Sequence, residues 1–127
     1  MGNSNDSKVS EKKKEARAPY TFGKRTDLNP ADFKFSKREN ETILKSTGTI
    51  MGQQFIVEEC KNCDIYLLDH IGSMTIDLCN NCRIICGPVE SRRASFKILY
   101  NTLIQIKICS VFIRDCVDCL FMIPSQQ

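Results

Sequence analysis

The chain has 127 residues, 42% hydrophobic and 26% charged, with a formal net charge of +3 and eight cysteines, which predicts one modest domain able to form a core without disulfides. Residues 1–25 carry seven basic and three acidic side chains, so the remaining 102 residues sum to a charge of −1, and a nucleic-acid partner is not implied. The lack of an apolar run of roughly 18 residues and of an apolar N-terminal signal argues against a membrane-spanning or secreted protein, so the cysteines should mostly be reduced thiols.

Residues 1–19 are polar and predict a disordered basic tail, because they have too few apolar side chains to offset the entropy of ordering. Met1-Gly2 followed by small polar residues resembles a myristoylation site, although Asp6 stands where Ser or Thr is usual. One acyl chain binds membranes only marginally, so a basic patch would supply the second signal. We therefore predict lipidation at Gly2 and a membrane patch at Lys12, Lys13 and Lys14, with an ordinary solvated tail as the alternative.

Residues 20–50 contain isolated aromatic side chains in otherwise polar sequence, around the Asn29-Pro30 turn signal. The aromatics are Tyr20, Phe22, Phe33 and Phe35. We interpret this part as an extended lead-in segment that packs its aromatics onto one edge of a domain formed by residues 51–127.

A Cys-x-x-Cys motif occurs three times after this segment, and a repeat of this kind governs the prediction of the fold. The pairs are Cys60/Cys63, Cys79/Cys82 and Cys116/Cys119. The first two copies are 19 residues apart, and the second and third are 37 apart, close to two such periods. Aligned on the cysteines, the copies share apolar columns: Phe55, Met74 and Val111; Val57, Ile76 and Ile113; Ile65, Ile84 and Phe121; Leu67, Cys86 and Ile123.

These columns alternate with polar positions on both sides of each motif, which predicts two short strands per repeat with a tight turn inside the Cys-x-x-Cys. Asn62, Asn81 and Asp118 precede the second cysteines, and Asn and Asp tolerate the left-handed conformation of such corners. A unit this short buries its apolar face only by stacking on other copies. The sequence therefore predicts an all-β protein, a parallel β-helix with about 19 residues per coil.

Residues 90–109 lack the motif but have the length of one further coil. Ile104, Ile106 and Ile108 alternate with polar residues, which is typical of a strand. The segment is interpreted either as a divergent coil, which would preserve the register of a solenoid, or as a foreign insertion.

The spacing of Cys60, Cys63, Cys79 and Cys82 also fits a four-cysteine zinc site. Two observations favour a structural core instead: the pair Cys116/Cys119 has no fourth pair to match it, and the shared apolar columns extend beyond the cysteines. Reduced cysteine is a small core residue that packs well. No catalytic set is apparent, because a Cys-His dyad would rest on His70, the one histidine of the sequence.

Long stretches of the chain resemble the tubulin-folding-cofactor-C-like domain family, also called the C-CAP/cofactor C-like family. The stretches are YTFGKRTDLNPADFKFS, GTIMGQQFIVEECKNCDIYLLDH, TIDLCNNCRIICGPV and SVFIRDCVDC, and with the Met1-Gly2 start they cover nearly all of residues 1–89 and 110–127. The resemblance implies a right-handed β-helix. It also implies a membrane-associated activator of a partner's GTP hydrolysis that has no catalysis or cofactor of its own, since GTP and Mg²⁺ belong to the partner.

The implied partner is an Arf-like small GTPase, or tubulin for other members, and the implied mechanism is an arginine inserted in trans, worth on the order of 10³ to 10⁵ in rate. The implied setting is protein trafficking to the cilium or Golgi at the cytoplasmic face of the plasma or ciliary membrane. In this family the arginine stands two residues after a Gln-Gln pair, and the matching pair here is Gln126-Gln127, the last two residues of the sequence. We therefore expect an incomplete solenoid that lacks the inserted arginine and stimulates GTP hydrolysis weakly or not at all.

Arg114 lies in the sequence Ile-Arg-Asp-Cys, which is similar to the sequence around the family arginine. The Cys-x-x-Cys that follows places Arg114 one coil too early to be that arginine. The remaining candidates for contact with the GTPase and its nucleotide are Gln126, Gln127, Ser110 and Arg114. In members of the family the positions equivalent to Val89 and Ser110 are almost adjacent in sequence. We therefore offer the hypothesis that the residues between them come from a retained intron or a gene-model error. Two alternatives remain open: a zinc-stabilised interaction module, and a scaffold that binds cytoskeletal subunits.

Overall fold

The computed structural model describes residues 28–90, 94–108 and 110–124. The predicted lipidation site at Gly2, the patch of Lys12 to Lys14 and the pair Gln126-Gln127 lie outside these ranges. The described chain begins with a short 3₁₀ helix, Pro30–Phe33. Asn29 caps this helix, because its side-chain oxygen accepts a hydrogen bond of 3.0 Å from the N–H of Ala31, and Pro30 fits the first helical position.

Ten strands follow and form two parallel sheets of five strands each. The strands are β1 (Lys34–Ser36), β2 (Thr42–Lys45), β3 (Gln54–Glu58), β4 (Asp64–Leu67), β5 (Ser73–Asp77), β6 (Arg83–Pro88), β7 (Ala94–Tyr100), β8 (Leu103–Lys107), β9 (Phe112–Val117) and β10 (Leu120–Met122). Odd-numbered strands form one sheet and even-numbered strands the other, so each consecutive odd–even pair is one coil. The predicted all-β, parallel β-solenoid is confirmed.

Equivalent residues of successive coils pair directly. They lie 22 residues apart between the first and second coils, then 19, 20 and 17 apart. The predicted spacing of about 19 is therefore correct on average, and length differences between coils are absorbed outside the paired strands.

The solenoid begins earlier than residue 51, the predicted boundary of the domain. β1 pairs with β3 and β2 with β4, although both first-coil strands lie in the segment interpreted as an extended lead-in. Phe35, one of the aromatics of this segment, lies in β1 as a buried core residue, and its ring meets that of Phe55 edge to face at 5.2 Å. Within residues 90–109, β7 and β8 pair in register with the third coil, as a divergent coil would.

Alternate side chains of both sheets point inward and stack into columns, as the period of two requires. The odd-numbered sheet contributes Phe55, Val57, Met74, Ile76 and Phe96, and the even-numbered sheet contributes Ile65, Leu67, Ile84, Ile104 and Ile106. Ile50, Ile71, Val89 and Ile108 close the core on a third, shorter side. Burial of these stacked aliphatic and aromatic groups is the main stabilising contribution, at roughly 25 cal/mol per Å² of apolar surface.

The third side is held by a buried carboxylate. The side chain of Asp69 accepts hydrogen bonds from the backbone N–H groups of Ile50 at 2.8 Å and Met51 at 2.7 Å. Burial by itself would raise the pKa of Asp69, but these backbone donors outweigh it and lower the pKa to about 2. His70, next to it, lies on the surface, where Nδ1 contacts a carboxylate oxygen of Glu90 at 2.5 Å. No helix in the described ranges is long and apolar enough to cross a membrane.

Candidate functional site

The Cys-x-x-Cys motifs all lie at one corner of the solenoid, where each coil turns from the odd-numbered sheet to the even-numbered one. Two residues of each corner have positive φ: one directly before the first buried residue and one directly before the second. In the second coil these are Glu59 (φ 54°) and Asn62 (φ 56°), which precede Cys60 and Cys63. The two left-handed residues reverse the chain and turn both thiols inward.

The thiols bond to backbone carbonyls of the corner itself. Cys63 Sγ lies 3.4 Å from the carbonyl oxygen of Lys61, and Cys82 Sγ lies 3.4 Å from that of Asn80. In the fourth coil a threonine repeats this contact, because Thr102 Oγ1 donates to the carbonyl oxygen of Tyr100 at 3.0 Å. A hydroxyl and a thiol therefore serve the same structural purpose at this position.

The positions of the cysteines bear on the zinc alternative. Among the residues that the structure describes, no group of three or more His, Cys, Asp or Glu side chains is arranged to hold a metal ion. Cys60, Cys63, Cys79 and Cys82, the candidate zinc ligands, are instead buried members of the core cluster. Cys116 and Cys119 are half-buried and pack against that cluster.

Several thiols have shifted pKa values. Hydrogen bonds to Cys60 and Cys82, together with burial, raise the pKa of the Cys79 thiol, and burial raises the pKa of Cys86 to about 12. The hydrogen bond from Cys79 lowers the pKa of Cys60 to about 7, but Cys60 is only 1% exposed and no reactant can reach it.

Two coils build the same corner without cysteines. Inspection of the sequence allowed for a divergent coil at residues 90–109 but identified neither its corner residues nor the first coil. Leu99 and Thr102 take the two buried positions in the fourth coil. In the first coil Arg38 and Glu41 take the equivalent positions, where their side chains are 39% and 40% exposed, and Arg38 Nε lies 3.1 Å from the Glu41 carboxylate. Asparagine one residue before the second buried position is the signal that could have revealed both coils, at Asn40 and Asn101.

These asparagines form a ladder along the corner. Asn62 Nδ2 donates to Asn40 Oδ1 at 3.0 Å, Asn81 Nδ2 to Asn62 Oδ1 at 2.5 Å, and Asn101 Nδ2 to Asn81 Oδ1 at 3.1 Å. Their φ angles lie between 51° and 57°, a region that asparagine tolerates better than most residues. The ladder ties four successive coils together at the surface.

Arg114, the candidate contact with a GTPase, lies on the outer face of β9. It pairs in register with Lys97 of β7, so two basic side chains are neighbours on this face. Arg114 Nε lies 3.4 Å from a carboxylate oxygen of Asp115, and the side chain is 54% exposed. Ser110 is exposed and precedes β9. Ser110 and Arg114 are thus accessible on one coil, while Gln126 and Gln127 lie outside the described residues.

Comparison with known proteins supports the same family for the second and third coils. The family model described as Tubulin binding cofactor C matches residues 52–95. Human Protein XRP2 is 38% identical over 66 residues, which is 52% of this chain and 19% of that protein. TBCC domain-containing protein 1 of Xenopus tropicalis is 31% identical over 87 residues, 68% of this chain and 16% of that protein.

Human Tubulin-specific chaperone C is 24% identical over 93 residues, 73% of this chain and 22% of that protein. The chain thus spans about a fifth of the length of the curated relatives it matches. The matched residues include two of the three Cys-x-x-Cys corners and two asparagines of the ladder, Asn62 and Asn81. Through this solenoid segment, residues 52–95, the chain belongs to the tubulin binding cofactor C family.

Proposed function

We propose that the solenoid binds an Arf-like small GTPase and belongs to a class of proteins that stimulate a partner's GTP hydrolysis. The family match of residues 52–95 carries this proposal. The exposed basic pair of Lys97 and Arg114 is compatible with it, since such side chains suit an acidic or phosphate-bearing partner surface. The chain itself would perform no covalent chemistry, and GTP and Mg²⁺ would be bound by the GTPase.

The polypeptide of residues 1–127 should stimulate hydrolysis only weakly. Activation of this kind depends on an arginine that stabilises charge on the transferring phosphoryl group, worth on the order of 10³ to 10⁵ in rate. Arg114 is accessible, but its neighbour Asp115 holds it at 3.4 Å, and its place before the Cys116/Cys119 corner differs from that of the family arginine. We therefore assign Arg114 to contact with the partner and not to catalysis.

Single-turnover GTP hydrolysis by an Arf-like GTPase, with and without residues 1–127, tests this assignment. We expect binding to the GTP-loaded partner, less than about tenfold stimulation, and weaker binding for Arg114→Ala with no further change in rate. Arg83→Ala is the matched control, because Arg83 pairs with Asp64 on the even-numbered sheet. Strong stimulation that Arg114→Ala removes, while Arg83→Ala retains it, would make Arg114 the catalytic arginine.

We further propose that the N-terminal segment holds the protein at the cytoplasmic face of the plasma or ciliary membrane, through an acyl group on Gly2 and the basic patch of Lys12, Lys13 and Lys14. The support for this step is the sequence, which combines two weak membrane signals. A role in protein trafficking to the cilium or Golgi would follow from such a location.

Tubulin or another cytoskeletal subunit is the second candidate partner. It is favoured by the similarity to Tubulin-specific chaperone C, whose name states a tubulin-specific role for that protein. Parallel titrations of residues 1–127 with the GTPase and with tubulin distinguish the two candidates. Binding to tubulin alone would replace the GTPase proposal.

A further inference from the structure

An apolar patch interrupts the polar surface of the asparagine corner. It consists of four side chains from the third, fourth and fifth coils, here called the corner patch: Leu78, Ile98, Tyr100 and Val117. They are between 44% and 53% exposed. Leu78 and Ile98 occupy equivalent positions in successive coils, and Tyr100 pairs in register with Val117, so the four side chains are neighbours. Contiguous apolar surface bordered by polar groups is typical of protein interaction sites.

The fold does not require apolar residues at these positions. Leu78 and Ile98 have φ of 55° and 56°, where the other coils have Lys37, Glu59 and Asp115. A β-branched residue with positive φ is an outlier, because its Cβ substituents crowd the backbone. Ile98 is therefore unfavourable both in conformation and in exposure. Residues whose conformation or exposure lowers stability are concentrated at functional sites.

Acceptor groups converge beside the patch where the asparagine ladder ends. Every amide of the ladder donates toward the preceding coil, so Asn101 Oδ1 remains on the side of the fifth coil. There the corner residue is Asp118, whose carboxylate cannot donate in return. A depression of about 310 Å³ opens at this point; its lining includes Asn101, Asp118, Leu103 and Leu120.

Charged groups of both signs surround the patch, and they include a carboxylate without an ion pair in the described ranges. Glu59, Asp115 and Asp118 occupy corner positions in the second and fifth coils, near Lys61 and Lys97. Asp115 is paired with Arg114 at 3.4 Å. Arg83 also lines the depression, but its guanidinium donates to both carboxylate oxygens of Asp64, at 3.0 and 3.2 Å. Among the described residues Asp118 has no ion pair. A group with two or more N–H donors and a positive charge fits between Asn101 Oδ1 and the Asp118 carboxylate.

We propose that this corner binds a partner segment that combines apolar side chains with arginine. The apolar side chains would cover the corner patch. A guanidinium would enter the depression, with its methylene stem on Leu103 and Leu120 and its N–H groups on Asn101 and Asp118. The inference does not depend on the GTPase proposal, because the corner patch, Asn101 and Asp118 are not among the residues proposed to contact the GTPase.

The probe is an acetylated, amidated hexapeptide with leucine at four positions and arginine at the second and fifth, titrated into ¹⁵N-labelled protein. We expect backbone shift changes at Tyr100, Asn101 and Thr102. A second peptide, with each arginine replaced by its neutral isostere citrulline, should bind at least about tenfold more weakly, because its urea group lacks the charge that strengthens hydrogen bonds to a carboxylate.

Two variants separate recognition from folding. Asp118→Asn extends the asparagine ladder, and Ile98→Asn places at a left-handed corner the residue that tolerates this conformation. Each substitution should weaken binding of the arginine peptide by about fivefold or more, while the variant's midpoint of urea unfolding stays equal to that of the parent chain or rises. Leu44→Ser, at a side chain 57% exposed on β2, and Asp32→Asn, on the 3₁₀ helix, should leave the affinity unchanged.

The inference is overturned if the citrulline peptide binds as tightly as the arginine peptide. It is also overturned if Asp118→Asn and Ile98→Asn leave the affinity unchanged, or if the shift changes lie away from the corner. Weaker binding by two variants that are at least as stable as the parent chain cannot result from unfolding.

Discussion

Backbone conformation at single residues determines how tightly the coils can stack. Of the non-glycine residues described, eleven have positive φ, and ten of them lie at the corner between the two sheets. Two glycines are needed near the third side for a different reason, namely space for the backbone of the neighbouring coil. A Cβ on Gly87 would lie 2.1 Å from the carbonyl oxygen of Asp69, and one on Gly72 would lie 2.2 Å from that of Gly52. These two glycines allow neighbouring coils to approach.

Gly87→Ala tests the steric requirement. Since the obstructing atom belongs to the backbone of another coil, the coils would have to separate, and we expect a loss of about 3 kcal/mol or more in the free energy of unfolding by urea. Gly48→Ala is the control, because its Cβ meets nothing within 4 Å and only its positive φ is strained, which costs about 1–2 kcal/mol. Equal losses for the two variants would show that close approach is not the cause.

The carboxylate of Asp69 gives the stability a pH dependence. Its pKa in the folded protein is about 2, below the ordinary value of about 3.9, so its contribution is fully present above about pH 4. The contribution is lost as the pH falls through the folded pKa. Asp69→Asn should cost about 2 kcal/mol at pH 7, because the donors of Ile50 and Met51 lose a charged acceptor.

Urea unfolding of both proteins at pH 7, 4 and 2.5 checks this prediction. The difference in free energy between parent and variant should stay constant from pH 7 to about pH 4 and shrink toward pH 2.5. A difference that is the same at pH 7 and pH 2.5 would mean that the ionised carboxylate does not support the third side.

At the scale of the coil, the corner depends on a pattern of conformations and not on cysteine. The pattern is a left-handed residue, a buried residue, an outward residue, a second left-handed residue and a second buried residue. Cysteine takes the two inward positions in three coils, buried in the second and third and half-buried in the fifth, whereas Leu99 with Thr102 and the more exposed pair Arg38 and Glu41 take them in the others. Any side chain that fits the space and satisfies its own polar atoms can serve.

The core interpretation and the zinc interpretation of the cysteines predict opposite effects of a chelator on stability. If the thiols are core residues, Cys79→Ala should cost about 1–2 kcal/mol, more than Cys116→Ala at the equivalent, half-buried position of the fifth coil. A chelator should leave the midpoint of thermal unfolding of the parent chain unchanged. One equivalent of zinc per folded chain, released together with loss of structure, would instead establish the zinc-stabilised module.

The sequence predicted the coils that contain Cys-x-x-Cys and not the boundaries of the solenoid. The apolar columns around Cys60 and Cys79 identify strands because a period of two is visible within one coil. β1 and β2 have only three and four residues, too few to show the period, and they become strands because β3 and β4 supply hydrogen-bonding partners. Pairing of this kind is a tertiary effect that short segments do not encode.

At the scale of the molecule, the solenoid is a stack of units that contact only their neighbours. The fourth coil pairs with the third and the fifth through both sheets, so residues 90–109 continue the stack. This form agrees with a divergent coil. The hypothesis that the segment comes from a retained intron concerns the transcript and remains a hypothesis, which sequencing of the message would decide.

Removal of one complete coil should therefore be tolerated. A variant lacking residues 90–109 joins Val89 to Ser110 and lets β9 and β10 pair with β5 and β6, so we expect cooperative urea unfolding and an all-β circular dichroism spectrum. A variant lacking residues 90–99, half a coil, is the control and should not fold, because it moves inward-facing residues out of their columns. If the whole-coil deletion also fails to fold, the coils are not exchangeable units.

The sequence by itself determined the parallel β-solenoid, its period and its family, because stacked coils repeat the same local environment and so impose repeating residue types. Only the tertiary structure decided that the four central thiols are buried in the core, because the direction of a side chain depends on the left-handed corner beneath it. It also decided which apolar residues remain outside. Leu78 and Ile98 resemble core residues in the sequence, but the positive φ of the corner turns them toward solvent.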